Sequence, residues 1–419
     1  MNILLINNYF PPEIGAASHL YYYLAKELQK RGHDVYYLTG IPRYNVDKET
    51  YEEYKKRGKV FIENEEGIKL IRVKLPYIER HKFIRRGIEH FEIAYKMFHY
   101  TKSIFKGLRI DVSLVYSPPL TLYWTAKKLR VKGHIPFILN VQDLFPQEAI
   151  DSNIIKNSFI IKFFKNMEFR AYETADLITV SSQKNKEFVE EVCKETKKVV
   201  IVEHWIDENE ITPGPKENAF SNKFNFHNKF VVSFAGTLGK LQDIRIILNS
   251  AKLLEDYKEI VFLIVGDGIK KEESEKIAEK MKLKNVIFVP LQPKNIYPQI
   301  LNSSDISLAT LEKEVETPTI PSKILSIMSA GIPIIASMNL NGDAPKLIEK
   351  ANAGYAVPAG DYKSMSKKIL LLFKNKELKE ELGKNGRKYI EEHLSVKTAA
   401  DKYEKLFQEV IKTRKLRHF

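Results

Sequence analysis

Residues 321–336 read PSKILSIMSAGIPIIA and contain a complete helix, turn and strand. Pro321 and Ser322 suit the start of a helix, and Gly331-Ile332-Pro333 ends that helix and opens an uncharged strand. The free backbone N–H groups and the positive dipole end of such a helix attract an anion, and Lys323 adds a full charge there. The stretch therefore predicts an α/β unit with a diphosphate site at the helix start, formed by Ser322 and Lys323.

The same alternation of helix and strand continues outward on both sides of this stretch. Short apolar runs alternate with amphipathic segments of helical length, which is typical of βαβ units on a parallel sheet. The predicted strands include residues 3–7, 35–39, 112–116 and 137–141 in the first half and 230–235, 260–265 and 286–289 in the second. We therefore predict an α/β fold of two Rossmann-like domains whose parallel sheets face each other across a cleft.

A polar, proline-containing stretch marks the boundary between these domains. It covers residues 207–229, which we predict to be a linker between an N-terminal domain (1–206) and a C-terminal domain (230–395). Residues 396–419 are predicted to form a further amphipathic helix and a basic tail. Open parallel sheets bind ligands beyond the carboxyl ends of their strands, so the turns that follow the strands should carry the functional residues.

The composition is that of a folded protein with a cationic surface. The chain has 419 residues, 44% of them hydrophobic, and its 67 Lys and Arg against 53 Asp and Glu give a net charge of +14. That charge favours polyanions, anionic lipid surfaces or phosphorylated small molecules without deciding among them. A single cysteine, Cys193, excludes an internal disulfide and a cysteine zinc cluster and fits a reducing cytoplasm. The opening MNILLINNYF is expected to be a buried strand rather than a signal peptide, and no stretch is expected to span a membrane.

Several motifs that define other enzyme classes are absent from the sequence. It contains no Gly-x-Gly-x-x-Gly, P-loop, Gly-x-Ser-x-Gly or His-Glu-x-x-His pattern, which argues against oxidoreductases, NTPases, serine hydrolases and zinc proteases. It also lacks an Asp-x-Asp triplet, the usual acidic clamp for a metal-bound nucleotide-sugar, so we expect no metal. The basic segments carry no RNA-binding aromatic signature and no recognisable DNA-reading helix, so we expect no nucleic-acid partner.

Two turns in the first half carry candidate residues. PPEIGAAS, residues 11–18, follows the first strand, and Gly15 with Ala16 lets a ligand approach the backbone at a helix N-terminus. NVQDLFPQE, residues 140–148, follows a buried strand and makes Asp143 the acid/base candidate. The alternatives are a plain βα turn for the first and a loop-capping aspartate for the second.

Two turns in the second half carry candidate residues for a phosphate. GTLGK, from Gly236 through Thr237 to Lys240, combines glycines, a hydroxyl and a cation after a strand, and Lys240 is a candidate counter-charge. The second turn contains Gly266 and Asp267, where Asp267 is a candidate cap for the next helix. The alternatives are a surface lysine and an ordinary turn.

A basic segment at residues 81–109 is a candidate membrane contact. Its apolar residues Ile84, Ile88, Phe91, Tyr95 and Phe98 are spaced four and three apart on one helical stripe. Such a helix suits an anionic membrane surface, and the alternative is a helix packed on its own sheet.

Taken in order, these motifs resemble those of GT-B glycosyltransferases of the family-four retaining group over nearly the whole chain. The most similar subgroup is that of the bacterial transferases of O-antigen, capsule and colanic-acid assembly. The resemblance implies a cytoplasmic enzyme, peripherally attached to the inner face of the plasma membrane, that transfers a hexosyl or N-acetylhexosaminyl group. It also implies a UDP-linked donor, a lipid-linked saccharide acceptor, and retention at the anomeric carbon without a metal or other cofactor.

The resemblance also implies roles for individual residues. Gly15 and Ala16 match the small-residue loop near the sugar and phosphates, and Asp143 matches a position facing the acceptor. In the second domain Thr237 and Lys240 match the turn that meets the diphosphate, whereas Lys323 matches the lysine at the helix start.

The sequence departs from the family pattern at its pair of glutamates. Pro318 and Ser326 occupy their places, and we expect Glu316 to take over the sugar contact as a catalytic residue. The family's arginine and lysine for the diphosphate fall on Thr237 and Gln242.

Two rival functions remain at this point. A GT-B UDP-sugar epimerase or hydrolase would turn over its donor without an acceptor. A non-enzymatic basic protein would bind nucleic acid or anionic lipid with a steep salt dependence and ignore UDP.

Overall fold

The computed structural model describes residues 1–13, 15–44, 46–76, 83–151, 154–194, 198–315 and 320–416. The chain forms two compact units, and the first runs from Met1 to Trp205 and includes the segment from Val396 onward. The second unit runs from Ile206 to Ser395, so residues 207–229, predicted as a linker, belong to it.

The described part of the first unit contains an eight-stranded sheet in the order β3-β4-β2-β1-β5-β6-β7-β8. Its strands are β1 (Asn2–Ile6), β2 (Asp34–Gly40), β3 (Val60–Glu65), β4 (Ile68–Val73), β5 (Val112–Ser117), β6 (Phe137–Val141), β7 (Leu177–Val180) and β8 (Val199–Ile201). Adjacent strands are parallel except β3 and β4, which form an antiparallel hairpin. Glu66 and Gly67 join them with φ of 49° and 88°, the positive values that a tight hairpin turn requires. The prediction of a parallel sheet is therefore wrong at this edge.

Helices cover both faces of this sheet. They are α1 (Ala16–Lys30), α2 (Lys48–Lys56), α3 (Phe83–Thr101), α4 (Leu122–Gly133), α5 (Gln147–Asp151), α6 (Ser158–Thr174), α7 (Gln183–Cys193) and the C-terminal helix (Val396–Leu416), with a short 3-10 helix at Ile104–Lys106. Alternate residues of β1 enter different cores, Leu4 on the face of α3 and α4 and Leu5 on the face of α1 and the C-terminal helix. Arg31 at the end of α1 bonds Asp401 and Glu404 of the C-terminal helix at 2.5 and 2.8 Å, which joins that helix to the first unit.

The described part of the second unit contains a six-stranded, fully parallel sheet in the order β11-β10-β9-β12-β13-β14. Its strands are β9 (Phe230–Ala235), β10 (Ile260–Val265), β11 (Val286–Val289), β12 (Ile306–Thr310), β13 (Ile334–Met338) and β14 (Gly354–Pro358). Its helices are α8 (Ala219–Lys223), α9 (Arg245–Leu253), α10 (Lys271–Lys280), α11 (Tyr297–Asn302), α12 (Ser322–Ser329), α13 (Asp343–Lys350), α14 (Tyr362–Lys374) and α15 (Lys376–Tyr389), with a 3-10 turn at Lys294–Ile296 and a π-helical turn at Ile390–Leu394.

Each sheet reverses its strand order once, between β1 and β5 in the first unit and between β9 and β12 in the second. In open α/β sheets the crevice at this reversal, outside the carboxyl ends of the strands, is where ligands bind. The turns after these four strands are therefore the expected ligand-binding positions in each unit. Among the described helices, none has the length and apolarity needed to cross a bilayer.

Candidate functional site

The first unit has a cavity of about 290 Å³ at its strand reversal. We call it the first-unit cavity, and its walls include Tyr9, Glu13, Gly15, Ser18, Tyr116 and Asp143. These residues come from β5, from the turns after β1 and β6 and from the start of α1. The structure therefore brings together Gly15 and Asp143, which the sequence predicted separately.

Gly15 leaves the backbone bare at this cavity. It precedes α1 in an extended conformation, with φ of 177°, and no side chain caps the helix. A Cβ atom at Gly15 would meet Tyr44 Cε1 at 3.7 Å, an ordinary contact, so packing against the described residues does not require glycine. Ala16 is the first residue of α1, and its side chain lies outside the described ones. The bare backbone is consistent with the predicted approach of a ligand.

Ser18 and Glu13 also line this cavity, although no sequence pattern indicated a role for either side chain. The Ser18 hydroxyl is buried, faces the cavity and has no hydrogen-bond partner among the described residues. Glu13 is fully buried, and its carboxylate accepts backbone N–H bonds from Phe10, Arg43 and Tyr44 at 2.9 to 3.1 Å. Burial raises the pKa of Glu13 to about 7, against the lowering effects of Arg43 and these bonds. Glu13 thus ties the turn after β1 to the turn after β2 and shapes the cavity wall.

Asp143 is solvent-accessible in the cavity wall, although many protein atoms surround it. Their desolvation raises the pKa of the Asp143 carboxyl. Glu148 follows on α5 and accepts the Leu144 N–H at 3.3 Å. Desolvation, followed by the charge of Asp143, raises the pKa of Glu148 to about 7. Two carboxyl groups with raised pKa values provide proton-accepting and hydrogen-bonding capacity for a ligand hydroxyl.

In the second unit, the turn after β9 packs tightly on the turn after β10. A Cβ atom on Gly266 would lie 1.9 Å from the Gly236 carbonyl oxygen, and one on Gly268 would lie 2.4 Å from that of Leu238. Gly266 also has φ of 152°, which favours glycine. Packing therefore explains Gly266 without a ligand, and its predicted donor contact stays a prediction.

Asp267 does not cap α10, contrary to the sequence interpretation. Its Oδ1 accepts the N–H of Gly268 at 2.8 Å, whereas α10 begins at Lys271 without a side-chain cap. The Asp267 carbonyl instead accepts the N–H of Leu238 at 2.9 Å and so supports the turn after β9. Asp267 is exposed, so its predicted donor contact also stays a prediction.

Lys323 lies beside this turn, at the start of α12. The helix begins at Ser322 as predicted, follows Pro321 and has neither a side-chain cap nor an acidic residue in its first turn. Lys323 Nζ is shielded from solvent and has no hydrogen-bond acceptor among the described residues. It lies 3.7 Å from the centre of the Phe234 ring, and a Cβ atom on Gly236 would approach it to 3.2 Å.

Burial lowers the pKa of Lys323 to about 7. A buried ammonium without an acceptor is costly, and an anion placed between it and the α12 N-terminus would satisfy both. We call this arrangement of Lys323, the Gly236 turn and the start of α12 the Lys323 site. Thr310, the last residue of β12, also has a buried hydroxyl without a partner among the described residues, which sequence analysis missed.

The remaining predicted donor residues lie on the surface or outside the described residues. Thr237 and Lys240 are exposed on the turn after β9, which Gln242 braces by accepting the Gly239 N–H at 3.1 Å. Glu316 lies outside the described residues, so the structure does not place it. Within the described residues, no group of three or more His, Cys, Asp or Glu side chains is arranged to hold a metal ion.

Two protein families match the chain in succession. "Glycosyltransferase Family 4" matches residues 15–210, and "Glycosyl transferases group 1" matches residues 215–389. The probable glycosyltransferase WbjE of Pseudomonas aeruginosa is 27% identical over 301 residues, which cover 71% of this chain and 74% of WbjE. The putative colanic acid biosynthesis glycosyl transferase WcaI of Escherichia coli is 31% identical over 104 residues, 25% of each chain.

Solved structures share the fold at low sequence identity. Sucrose-phosphate synthase from Thermosynechococcus elongatus matches with a TM-score of 0.73 at 16% identity, over 98% of this chain and 99% of that one. Anabaena HepE, solved in complex with UDP, matches with a TM-score of 0.69 at 14% identity, over 98% of this chain and 100% of HepE. The two α/β units, the order of the motifs and the two successive family matches lead to one conclusion: the chain belongs to the GT-B glycosyltransferases of family four.

Proposed function

We propose that this glycosyltransferase moves a hexosyl or N-acetylhexosaminyl group from a UDP-linked donor to a lipid-linked saccharide, with retention and without a metal. The transfer would take place on the cytoplasmic face of the membrane, in the assembly of a surface polysaccharide such as O-antigen or capsule. The similarity to WcaI, named for colanic acid biosynthesis, supports the pathway class. HepE, solved with UDP, supports the nucleotide.

The observation that carries the donor assignment is the buried Lys323 ammonium, which has no acceptor among the described residues. A diphosphate at the Lys323 site would accept hydrogen bonds from the α12 N-terminus and supply the missing counter-charge. As the bond from the sugar to the diphosphate breaks, negative charge grows on the leaving oxygen, and a preorganised cation stabilises it most there. Lys240, exposed on the turn after β9, would add a second positive charge.

The first-unit cavity would hold the acceptor. Asp143 in its wall would accept a hydrogen bond from the attacking hydroxyl. The Ser18 hydroxyl, which has no partner among the described residues, would bond another sugar hydroxyl. In a front-face retaining reaction, the acceptor oxygen bonds to the anomeric carbon on the face that the diphosphate leaves. The hydroxyl proton passes to the departing diphosphate oxygen. We assign Glu316 to the donor sugar, and full activity of Glu316→Gln would contradict that assignment.

Thermal unfolding with EDTA present tests the donor proposal. A ligand at 100 times its dissociation constant stabilises by about 2.7 kcal/mol, so UDP should raise the melting temperature of the second unit by about 5–11 °C. GDP, TDP and NAD at the same concentration serve as controls and should shift it less. The absence of a shift with UDP would overturn the proposed donor, and UDP-sugar turnover without acceptor would favour an epimerase or hydrolase.

A further inference from the structure

The outer face of α6 exposes large apolar side chains to solvent. Phe159 is 83% exposed, Phe163 52% and Ile160 47%, and Ile154 just before the helix is 64% exposed. Single exposed apolar residues are ordinary, but four of them within ten residues form a patch, and such patches mark interaction surfaces.

These side chains are not displaced core residues, because α6 already buries its opposite face. Met167, Ala171 and Tyr172 of that face lie in the core of the first unit. Phe164 packs edge-on against Phe145, with ring centres 5.1 Å apart. Phe163 also contacts the Phe91 ring of α3, with ring centres 6.1 Å apart, but half of its side chain stays in solvent. The exposed area of Phe159 and Phe163 is therefore additional to the face that α6 buries.

The charged side chains within the patch segment, residues 154–167, are all lysines, and the exposed Asp151 precedes the segment at the end of α5. Residues 152–167 contain Lys156, Lys162 and Lys165 and no aspartate or glutamate. All three lysines are exposed, whereas the next acidic residue, Glu168, is buried and accepts the Tyr172 hydroxyl at 3.0 Å. Aromatic side chains flanked by lysines complement an anionic bilayer, where the rings enter the interface and the ammonium groups meet lipid phosphates.

The helix that the sequence predicted for this role uses its apolar residues differently. α3 buries Ile93 and Met97 in the core and leaves Phe91 and Phe98 half-buried, so only Tyr95 of the described stripe side chains is exposed. Apart from Tyr95, the described apolar residues of α3 thus pack within its own unit. The side chains of Ile84 and Ile88 lie outside the described ones, so the membrane contact predicted for residues 81–109 stays a prediction.

We propose that the α6 patch, formed by Ile154, Phe159, Ile160, Phe163 and the three lysines, docks on an anionic lipid bilayer. This inference rests on the proposed function, because a lipid-linked acceptor is itself held in a bilayer. Phe145 lies two residues after Asp143 and packs on α6, so docking would hold the Asp143 turn close to the lipid surface.

Co-sedimentation with vesicles tests the surface. The wild-type chain should bind vesicles of phosphatidylglycerol and phosphatidylcholine, less tightly as salt rises, and should ignore phosphatidylcholine alone. Phe159→Ser with Phe163→Ser, and separately Lys162→Glu with Lys165→Glu, should each weaken binding at least about tenfold. Ile269→Ser with Leu291→Ser, a matched pair of exposed residues in the second unit, should retain it within about twofold.

Three results would overturn the α6 surface: no binding of the wild type to anionic vesicles, unchanged binding of both α6 variants, or equal loss in the second-unit pair. A wild-type dimer that Phe159→Ser with Phe163→Ser dissociates, without vesicle binding, would assign the patch to a second copy instead. The UDP melting shift, measured on every variant, separates this inference from the donor proposal. A lost shift with retained vesicle binding counts against the donor alone, and the lysine variant decides if the serine variant does not fold.

Discussion

The first-unit cavity and the Lys323 site perturb their ionisable groups in opposite directions for the same physical reason. Desolvation by the surrounding protein raises the pKa of Glu13 to about 7 and raises that of Asp143, whereas it lowers the pKa of Lys323 to about 7. Desolvation disfavours the charged form in each case. The two sites differ in the ligand that would offset this desolvation. Hydroxyl groups can hydrogen-bond to the carboxyls of the first unit, whereas an anion can pair with the lysine of the second.

The largest expected effect comes from removing the buried cation. Lys323→Met should lower kcat/KM by about 10²–10³-fold, the usual cost of losing a charge-stabilising group, and weaken UDP binding measured by titration calorimetry. The ligand-free variant should melt no lower than the wild type, because methionine removes a buried charge that has no hydrogen-bond acceptor in the part of the chain that the structure describes. Lys280→Met, at the exposed end of α10, is the matched control. Unchanged UDP affinity in Lys323→Met would show that Lys323 does not bind the anion, and the proposed difference between the Lys323 site and the first-unit cavity would be wrong.

Asp143→Asn should affect the first-unit cavity, where we place the acceptor. We expect the transfer rate to fall by about 10²-fold, because the amide no longer accepts the acceptor hydroxyl's hydrogen bond as a carboxylate does. UDP affinity should stay unchanged, since the donor is assigned to the second unit. Asp256→Asn is the control, because Asp256 is an exposed residue of the second unit that lies before the amino end of β10. Full transfer by Asp143→Asn would return Asp143 to an ordinary loop residue.

The pH dependence of UDP binding should report Lys323 directly. With a pKa of about 7 in the free protein, Lys323 is largely neutral above that pH, and a bound diphosphate raises its pKa again. Binding above pH 7 therefore requires proton uptake, so the affinity should fall by up to about tenfold per pH unit. UDP titrates as well, so the measurement is the difference between wild-type and Lys323→Met profiles. Parallel profiles would show that Lys323 does not meet the nucleotide.

Local sequence patterns predict most of the strands and the start of α12. β6, β9, β10 and β11 match the predicted ranges residue for residue, because each is a short apolar run bounded by polar or turn residues. The antiparallel edge was missed because its signal is a single Glu66-Gly67 turn. Likewise, the place of the C-terminal helix depends on the packing of Tyr403 and Phe407 in the core of the first unit, which no local pattern encodes.

The candidate residues were predictable, but their chemistry was not. Lys323 was recognisable from its position at a helix start, yet its low pKa arises from burial beside Phe234, far away in the sequence. Glu13 lies in the motif of residues 11–18, in which the sequence interpretation singled out Gly15. The role of Glu13 depends on the backbone N–H groups of Arg43 and Tyr44. Three-dimensional neighbours decide such properties, and sequence spacing carries little information about them.

Alanine substitutions at Gly15 and Gly266 compare a glycine that packing does not require with one that it does. Gly15→Ala places a methyl group in ordinary contact with Tyr44 at an extended φ, so the free energy of unfolding should change by less than about 0.5 kcal/mol. Gly266→Ala forces a Cβ atom to 1.9 Å from the Gly236 carbonyl at a φ of 152°, and should destabilise by about 2–4 kcal/mol in chemical denaturation.

If Gly15 is bare for the sake of a ligand, its alanine variant should still lose activity, by about fivefold for each 1 kcal/mol of lost contact. A stable Gly15→Ala protein with reduced transfer would locate the ligand at the start of α1. A stable protein with full activity would leave Gly15 as part of a plain βα turn. Because both variants add the same methyl group, the contrast between them separates a glycine kept for packing from one kept for binding.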